Sequence, residues 1–293
     1  MIANMSPNTL GALLMVCSMF CFTVSDAAIK FTGGAVPLAQ LLTIRTAMTA
    51  VLILALAVAM KRLHFRMTRR DRALILVRCI AEVAAAYFFI TALFNMPLAN
   101  ITAILQVIPL TVTLCAALFF GDRVGWRRMT AIIIGFIGVM LILRPGPDGF
   151  SRDAIYVLAT VGCVTVRDLV TRRLSAQVST LSVTFLTSCA IFASAGAASL
   201  MQEWVPVEPL HMKLIVLSAV VIAAAYFFSI QVMRVGEVSF VAPFRYTGLL
   251  WATLLGWVVF GHWPAPLTFL GAAIVVGSGL FMLRRNRIQQ KAP

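Results

Sequence analysis

Long runs of apolar residues, separated by short polar connections, follow one another along the whole 293-residue chain. Each run of 16–23 residues is long enough for an α-helix to cross roughly 30 Å of hydrocarbon. The runs are continuously apolar, whereas the strands of a membrane β-barrel are shorter and alternate, so the pattern predicts helices. We predict ten transmembrane helices, at residues 9–30, 37–60, 73–95, 97–120, 129–144, 153–171, 181–201, 213–233, 238–260 and 265–283.

The two halves of the sequence resemble each other. The hexapeptide AAAYFF occurs at residues 84–89 and again at 223–228, and each copy opens a similar stretch that ends in a small-residue helix. We therefore predict an all-α polytopic membrane protein of two five-helix repeats, 1–146 and 147–285, followed by a cytoplasmic tail at 286–293. Because five is odd, the second repeat is inverted relative to the first, which is a construction that transporters use.

Composition and charge predict how the chain is oriented. Hydrophobic residues make up 61% of the chain and charged residues 12%, and a mean hydropathy of +0.97 leaves too little polar surface for a soluble domain. If the N-terminus is cytoplasmic, the inner connections and the tail carry +13 of the formal charge of +14, and the outer connections sum to zero. This asymmetry predicts that both termini are cytoplasmic, and it explains the excess charge without a nucleic-acid partner.

Seven charged residues lie within the predicted spans or at their edges. A charge inside a bilayer is costly, so each of them needs a partner or a polar cavity. The set is nearly balanced in sign, which favours internal pairing or a polar hollow at the centre of the bundle. The seven are Asp26, Arg45, Arg78, Glu82, Arg167, Asp168 and Arg245.

Two pairs of charges allow two interpretations each. Asp26 and Lys30 are four residues apart on one helix face, so they form either a local ion pair or a gate at the mouth of a cavity. Arg78 and Glu82 have the same spacing and form a structural bridge, unless Glu82 is a proton site, since a carboxylate removed from water holds its proton more tightly. Arg45 lies too deep for its side chain to reach the interface, so it should face the cavity or a carboxylate.

Arg245 is the strongest single candidate for a ligand contact. It lies in the segment APFRYTG with Pro243 and Tyr246, where the proline weakens the helix and frees carbonyl groups. A guanidinium beside a phenol can bind a carboxylate, a phosphate or a planar polar group; pairing of Arg245 with an acidic residue of the bundle is the alternative. Gln106 and then Pro109 occupy the corresponding stretch of the first half, a pattern expected around a midplane site.

Aromatic residues add to this set. A cavity lined by the aromatic residues of spans three, eight and nine would suit a flat, amphipathic ligand, with ordinary packing as the alternative. These residues are Tyr87, Phe88, Phe89, Tyr226, Phe227, Phe228 and Trp251. The candidate residues for substrate binding or gating are Arg245, Tyr246, Gln106, Tyr87, Asp26, Glu82, Arg45 and Trp251.

The sequence holds no motif typical of catalysis. It lacks the patterns of zinc proteases, dinucleotide-binding folds and phosphate-binding loops, which argues against an enzyme and against ATP-driven pumping by this chain alone. The six cysteines fall within apolar spans and the three histidines are far apart, so we expect no metal and no cofactor. Glycines on spans five and ten fit close helix packing inside a monomer, with a homodimer as the alternative.

The ten spans, the GDR and GHW turns after spans four and nine, and the small-residue helices that follow them resemble the drug/metabolite transporter superfamily, and within it the EamA-type carriers. The segment GEVSFVAPFRYTG is similar to a subgroup that includes riboflavin and S-adenosylmethionine uptake carriers. In that subgroup a Leu-Glu pair often follows the P-Y-R-Y stretch, whereas this chain has Thr247 and Gly248. The resemblance implies alternating access, a central cavity and a bacterial inner-membrane location.

Among substrates, the resemblance favours riboflavin uptake first and S-adenosylmethionine second, with an amino-acid or drug carrier working in either direction as a further alternative. The expected partners are a small-molecule substrate and membrane lipid. Two alternatives belong to other functional classes. Scattered carboxylates argue against a membrane-embedded enzyme, and charges within the spans of both halves argue against a scaffold.

Overall fold

The computed structural model describes residues 6–63, 67–121, 125–146, 150–175, 177–235 and 237–291. Within this part of the chain the first half contains six helices, which make five membrane spans because the fourth span is divided into two helices. They are α1 (Pro7–Phe31), α2 (Leu38–Ala59), α3 (Arg69–Asn95), α4 (Leu98–Leu105), α5 (Ile108–Phe120) and α6 (Trp126–Leu143).

The second half repeats this order, and its fourth span, the ninth of the chain, is again divided. Nine of the described helical spans are long and apolar enough to cross a membrane, and the divided ninth span completes the ten that the sequence predicts. The elements are α7 (Arg152–Thr171), α8 (Thr180–Ser199), α9 (Pro209–Val235), α10 (Val238–Val241), a 3₁₀ helix (Ala242–Tyr246), α11 (Thr247–Phe260) and α12 (Pro266–Lys291).

The two interruptions lie at the prolines that the sequence singles out. Pro109 is the second residue of α5, and Pro243 is an early residue of the 3₁₀ helix, where a missing N–H is tolerated. After each divided span a glycine in the left-handed conformation ends the helix: Gly121 with φ 71° and Gly261 with φ 66°. Corresponding spans of the two halves therefore share both the interruption and the terminating turn.

Helix α12 extends further than the sequence predicts. Its apolar part ends at Arg284, close to the predicted limit of 283, but the helix continues to Lys291. The segment expected to be a tail after residue 285 is therefore helical as far as Lys291. The basic residues of this end interrupt the hydropathy pattern without interrupting the backbone hydrogen bonds.

The two halves interlock, because the main helix pairs join one half to the other. Helix α1 packs against α9, α3 against α7, α2 against α8 and α6 against α12. The first of these pairs, which joins spans one and eight, is the counterpart of the second, which joins spans three and six. The largest core cluster accordingly takes residues from both halves, among them Leu41, Ile101, Leu110, Val157 and Val275.

The two halves approach closely at two glycines of α6 and α12. A Cβ atom built on Gly138 would be 2.8 Å from the carbonyl oxygen of Gly271, and one built on Gly271 would be 2.5 Å from that of Gly138. Small residues permit helix backbones to approach in this way. These glycines therefore serve packing inside one chain, while the number of chains in the membrane stays a prediction.

Candidate functional site

A cluster of three charged residues joins α3 to α7. In the predicted topology this part of α7 lies toward the cytoplasm. Arg167 donates from Nη1 to both carboxylate oxygens of Glu82, at 3.2 Å each, and from Nε to Asp168 Oδ1 at 2.9 Å. The Glu82 side chain is 14% exposed and that of Arg167 is 23% exposed. Packing of α3 against α7 places these charges side by side, so each compensates the other away from bulk water.

The predicted bridge between Arg78 and Glu82 is wrong. Glu82 pairs with Arg167, and Arg78 instead donates from Nη1 to Thr171 Oγ1 at 2.8 Å. The i,i+4 spacing brings two side chains to one face of α3, but the neighbouring helix α7 presents a guanidinium to Glu82 and a hydroxyl to Arg78. The alternative role of Glu82, as a proton site, stays a prediction.

A second polar group lies between α1, α2 and α9. Arg45, only 8% exposed, donates from Nη2 to Ser25 Oγ at 3.0 Å, and Ser25 Oγ lies 2.7 Å from Ser218 Oγ. The Asp26 carboxylate interacts electrostatically with Arg45. Arg45 thus has a serine hydroxyl as its hydrogen-bond partner and Asp26 as a nearby opposite charge, and a role of either residue in substrate binding or gating stays a prediction.

Lys30 does not act as the local partner of Asp26. Its Nζ donates to the carbonyl oxygens of Leu93 at 2.6 Å and Met96 at 2.7 Å, and it lies 5.6 Å from the centre of the Phe260 ring. A cation at this position satisfies carbonyl groups left free at the end of α3 and complements the helix dipole. Lys30 is therefore a structural cap that ties α1 to α3.

Tyr226 lies near both charge groups. The sequence pointed to it as one aromatic residue of a possible cavity, but not as one of the eight candidates. Its hydroxyl is within electrostatic range of Glu82, Arg167 and Arg45, and its ring packs edge-on against Phe22 at 5.4 Å. Tyr226 is the counterpart of Tyr87 in the second AAAYFF copy, so the repeat itself was the signal that could have identified it.

Gln106 and Arg245 lie near the two helix interruptions. Gly248 is next to Gln106: a Cβ atom built on this glycine would be 3.8 Å from Gln106 Nε2 and 3.7 Å from Met19 Sδ. Arg245 is exposed and precedes Gly248 by three residues, so it lies about one turn away on the same helix face. The ninth span meets α1 and α4 at Gly248, and Arg245 lies one turn away as an exposed side chain.

Tyr246 points elsewhere. Its buried hydroxyl abuts Gly279 of α12, where the absence of a side chain makes room for the phenol. The Trp251 ring packs edge-on against Phe20 at 5.0 Å. Among the described residues, the buried polar atoms Tyr246 Oη, Tyr87 Oη and Trp251 Nε1 have no hydrogen-bond partner. Each can donate a hydrogen bond to a polar group that reaches it.

Of the eight predicted site residues, the structure brings Glu82 to the Arg167 cluster, Asp26 to Arg45, and Gln106 to the span of Arg245. The described residues contain no group of three or more His, Cys, Asp or Glu side chains able to hold a metal ion. What the geometry offers is a set of paired charges and unpaired hydrogen-bond donors within a ten-span helical bundle.

Interlocked inverted repeats with two interrupted spans define a membrane transporter architecture. The chain belongs to the EamA-like transporter family, whose model matches it twice, over residues 9–144 and 152–284. The chain is thus a transporter and not an enzyme, as the sequence predicts. The superfamily resemblance is confirmed as well.

Curated relatives carry different substrates in their names. The chain is 26% identical to a riboflavin transporter of Rhizobium johnstonii over 218 residues, which cover 74% of this chain and 72% of the relative. It is 24% identical to the pseudopaline exporter CntI of Pseudomonas aeruginosa over 286 residues, covering 94% and 97%. It is 22% identical to the S-adenosylmethionine uptake transporter of Rickettsia prowazekii over 187 residues, covering 64% and 63%.

A protein of known crystal structure has the same fold. The two chains superpose with a TM-score of 0.64 at 19% sequence identity, and the match covers 96% of this chain and 99% of the other. The ten-span arrangement is therefore shared over essentially the full length of both proteins.

Proposed function

We propose that this transporter is a secondary carrier that takes up riboflavin across the bacterial inner membrane by alternating access. The observation that carries the proposal is the pair of charge groups around Tyr226, one on α3 and α7 and the other on α1 and α2. Helix pairs α1–α9 and α3–α7 each combine both halves, so a shift of one pair against the other would change access to the space between them.

Two hydrogen-bonded ties at opposite ends of the bundle are suited to act as gates. At the predicted cytoplasmic end, Asp71 accepts from the Ser175 backbone N–H at 3.1 Å and from the Ser175 hydroxyl at 3.0 Å. At the other end, Gln40 donates to the Val205 carbonyl at 2.8 Å and accepts from its N–H at 3.1 Å. Each tie joins the first half to the second, and alternating access would open one while the other stays closed.

Riboflavin fits the chemistry of the candidate residues. It combines a flat, uncharged ring system that carries polar edges with a chain of hydroxyl groups. Aromatic rings such as Trp251 suit the flat face, while Arg245 and Gln106 offer donors to the carbonyl oxygens of the ring. The unpaired hydroxyl of Tyr87 can contribute a further hydrogen bond. Relatives named as riboflavin transporters support this substrate.

Uptake of S-adenosylmethionine is the second candidate. This molecule carries a sulfonium cation and an amino-acid group, which the acidic Glu82 and Asp26 and the basic Arg45 would complement. The relative of that name supports it. Export is supported by the pseudopaline exporter relative and requires the opposite direction of net flux.

Growth rescue tests the riboflavin assignment. A riboflavin auxotroph that expresses the chain should grow at limiting vitamin, and Arg245→Ala should abolish growth, whereas Arg62→Ala, at an exposed position, should not. Proteoliposomes with and without a pH gradient then measure flux of riboflavin and S-adenosylmethionine, and inside-out vesicles give the direction. If folded wild-type protein moves S-adenosylmethionine but not riboflavin, the substrate assignment changes from riboflavin to S-adenosylmethionine.

A further inference from the structure

A groove runs between α6 and α12 on the outside of the bundle, away from the charge groups described above. Its volume is about 430 Å³, and it is open to the surface. Apolar side chains form most of its walls, and Gly277 leaves its floor open, since a Cβ atom built there would meet nothing within 4 Å. The lining includes Trp126, Arg127, Ile134, Gly277, Ser278 and Phe281.

One end of this groove is basic and aromatic. Trp126 is 73% exposed, and the Arg127 guanidinium lies 5.2 Å from the centre of its ring. Arg284 is exposed and follows Phe281 by three residues, so it lies one turn further on the same face of α12. Two helices thus each place an arginine at the same end of an apolar groove.

The predicted position of the basic end of the groove in the membrane indicates what binds there. It lies on the predicted cytoplasmic side, where the phosphates of anionic lipids meet the protein and where tryptophan rings concentrate. We propose that the groove binds one anionic phospholipid, with an acyl chain over Gly277 and the headgroup phosphate held by Arg127 and Arg284. This site is independent of which substrate the carrier moves.

A second groove on the lipid-facing surface provides a contrast. It lies between α2 and α9, has a similar volume of about 430 Å³, and is lined only by apolar residues such as Met48, Val51 and Val220. Nothing in that groove distinguishes one lipid headgroup from another. The arginines therefore separate the α6–α12 groove from an ordinary lipid-facing recess and favour an anionic occupant.

Gly277 allows the groove to be filled without disturbing the fold. Gly277→Phe places a ring in the open space, whereas Gly162→Phe does the same on the exposed face of α7, where a Cβ atom also meets nothing within 4 Å. Gly162→Phe is thus the matched control. Arg127→Gln combined with Arg284→Gln removes the charges and keeps the groove open.

Native mass spectrometry of the purified carrier, titrated with phosphatidylglycerol or with phosphatidylcholine of the same acyl chains, tests the proposal. We expect one phosphatidylglycerol bound about 30-fold more tightly than phosphatidylcholine, the preference that two interfacial arginines would produce. Gly277→Phe should lose this binding and Gly162→Phe should keep it. The double arginine variant should bind both lipids equally, and melting temperatures confirm that each variant is folded.

Four results would overturn the proposal. The first is equal binding of the two lipids to the wild type. The second is unchanged phosphatidylglycerol binding by Gly277→Phe. The third is a mass spectrum in which the wild type is a dimer that Gly277→Phe dissociates, because the groove would then hold a second copy of the chain. Inorganic phosphate should not displace the lipid; displacement at comparable concentration would assign the site to a free anion.

Discussion

Arg167 binds both carboxylate oxygens of Glu82 at 3.2 Å across a separation of 85 residues, and so ties the third span of the first repeat to the first span of the second. Asp168 holds the other edge of the same guanidinium. A cation shared by two carboxylates keeps three charges compensated within the bundle. Any movement of α3 against α7 must reorganise this contact.

Removal of one partner from this pair should impair the carrier more than removal of both. Glu82→Gln leaves Arg167 with Asp168 alone, and Arg167→Gln leaves two carboxylates without a cation. We expect each single variant to lower the rate of substrate flux. Glu82→Gln combined with Arg167→Gln should have a higher flux than the more impaired of the two single variants. A double-mutant cycle on initial uptake rates measures the coupling, and purely additive losses would mean that the pair does not act as a unit.

Lys30 should stabilise the fold through the end of α3. Lys30→Met replaces the lysine by an uncharged side chain of similar length and leaves the carbonyl oxygens of Leu93 and Met96 without this donor. An unsatisfied buried acceptor costs about 1–3 kcal/mol. We therefore expect the melting temperature in detergent to fall by roughly 2–8 °C.

The matched control for Lys30 is Lys213→Met, because Lys213 is an exposed lysine near the start of α9 on the same predicted side of the membrane. Its replacement should leave the melting temperature unchanged. Equal shifts for the two variants would show that loss of a positive charge, and not loss of the helix cap, is responsible.

The contact between Gly138 and Gly271 should tolerate no added side chain. Gly138→Ala would bring a methyl group to within 2.8 Å of a backbone oxygen, so α6 and α12 must separate. Overpacking of this kind costs about 1–3 kcal/mol. Thermal unfolding should show lower stability for Gly138→Ala but not for Gly162→Ala, whose Cβ meets nothing within 4 Å. If Gly138→Ala were as stable as the wild type, α6 and α12 could not approach each other as closely as these distances indicate.

The two ties at opposite ends of the bundle should bias the carrier in opposite directions. A cysteine at position 106, in a chain whose six native cysteines are replaced, reports access from either side through a membrane-impermeant thiol reagent. Asp71→Ala removes the tie to Ser175 and should increase labelling from the cytoplasmic side. Gln40→Ala removes the tie to Val205 and should increase labelling from outside.

Helix capping must be separated from gating at Asp71, because this residue also accepts from the Thr68 hydroxyl at 2.8 Å at the start of α3. Thr68→Ala weakens the cap and leaves the tie to Ser175 intact, so it should not change the labelling pattern. Shifts in the same direction for Asp71→Ala and Gln40→Ala would contradict the assignment of the ties as opposed gates.

The sequence predicted the elements well and their partners less well. Hydropathy located ten spans, and Pro109 and Pro243 lie where two of them are interrupted, because span length and proline chemistry are local properties. The pairing of Glu82 with Arg167 joins residues far apart in the chain, and i,i+4 spacing favoured Arg78 instead. Periodicity identifies neighbours on one helix and carries no information about which helix packs beside it.

Polar contacts made by small residues were the hardest to anticipate. Ser25 and Ser218 meet at 2.7 Å and receive Arg45, yet serines inside apolar helices have no distinctive pattern. Tyr226 was more accessible to reasoning, since it repeats Tyr87 one half-chain later. The internal repeat is therefore the sequence signal that predicts most about which distant residues have equivalent positions in the fold.

The inverted arrangement of the repeats is tested most directly by locating the two ends of the chain. A fluorescent protein that matures only in the cytoplasm and a phosphatase that is active only outside it, fused in turn to each terminus, report the side of the membrane. Two five-span repeats require both ends to lie on the same side of the membrane. The charge asymmetry predicts that this side is the cytoplasm, with fluorescence at both ends and phosphatase activity at neither. Ends on opposite sides would mean an odd number of spans and would contradict two oppositely oriented repeats.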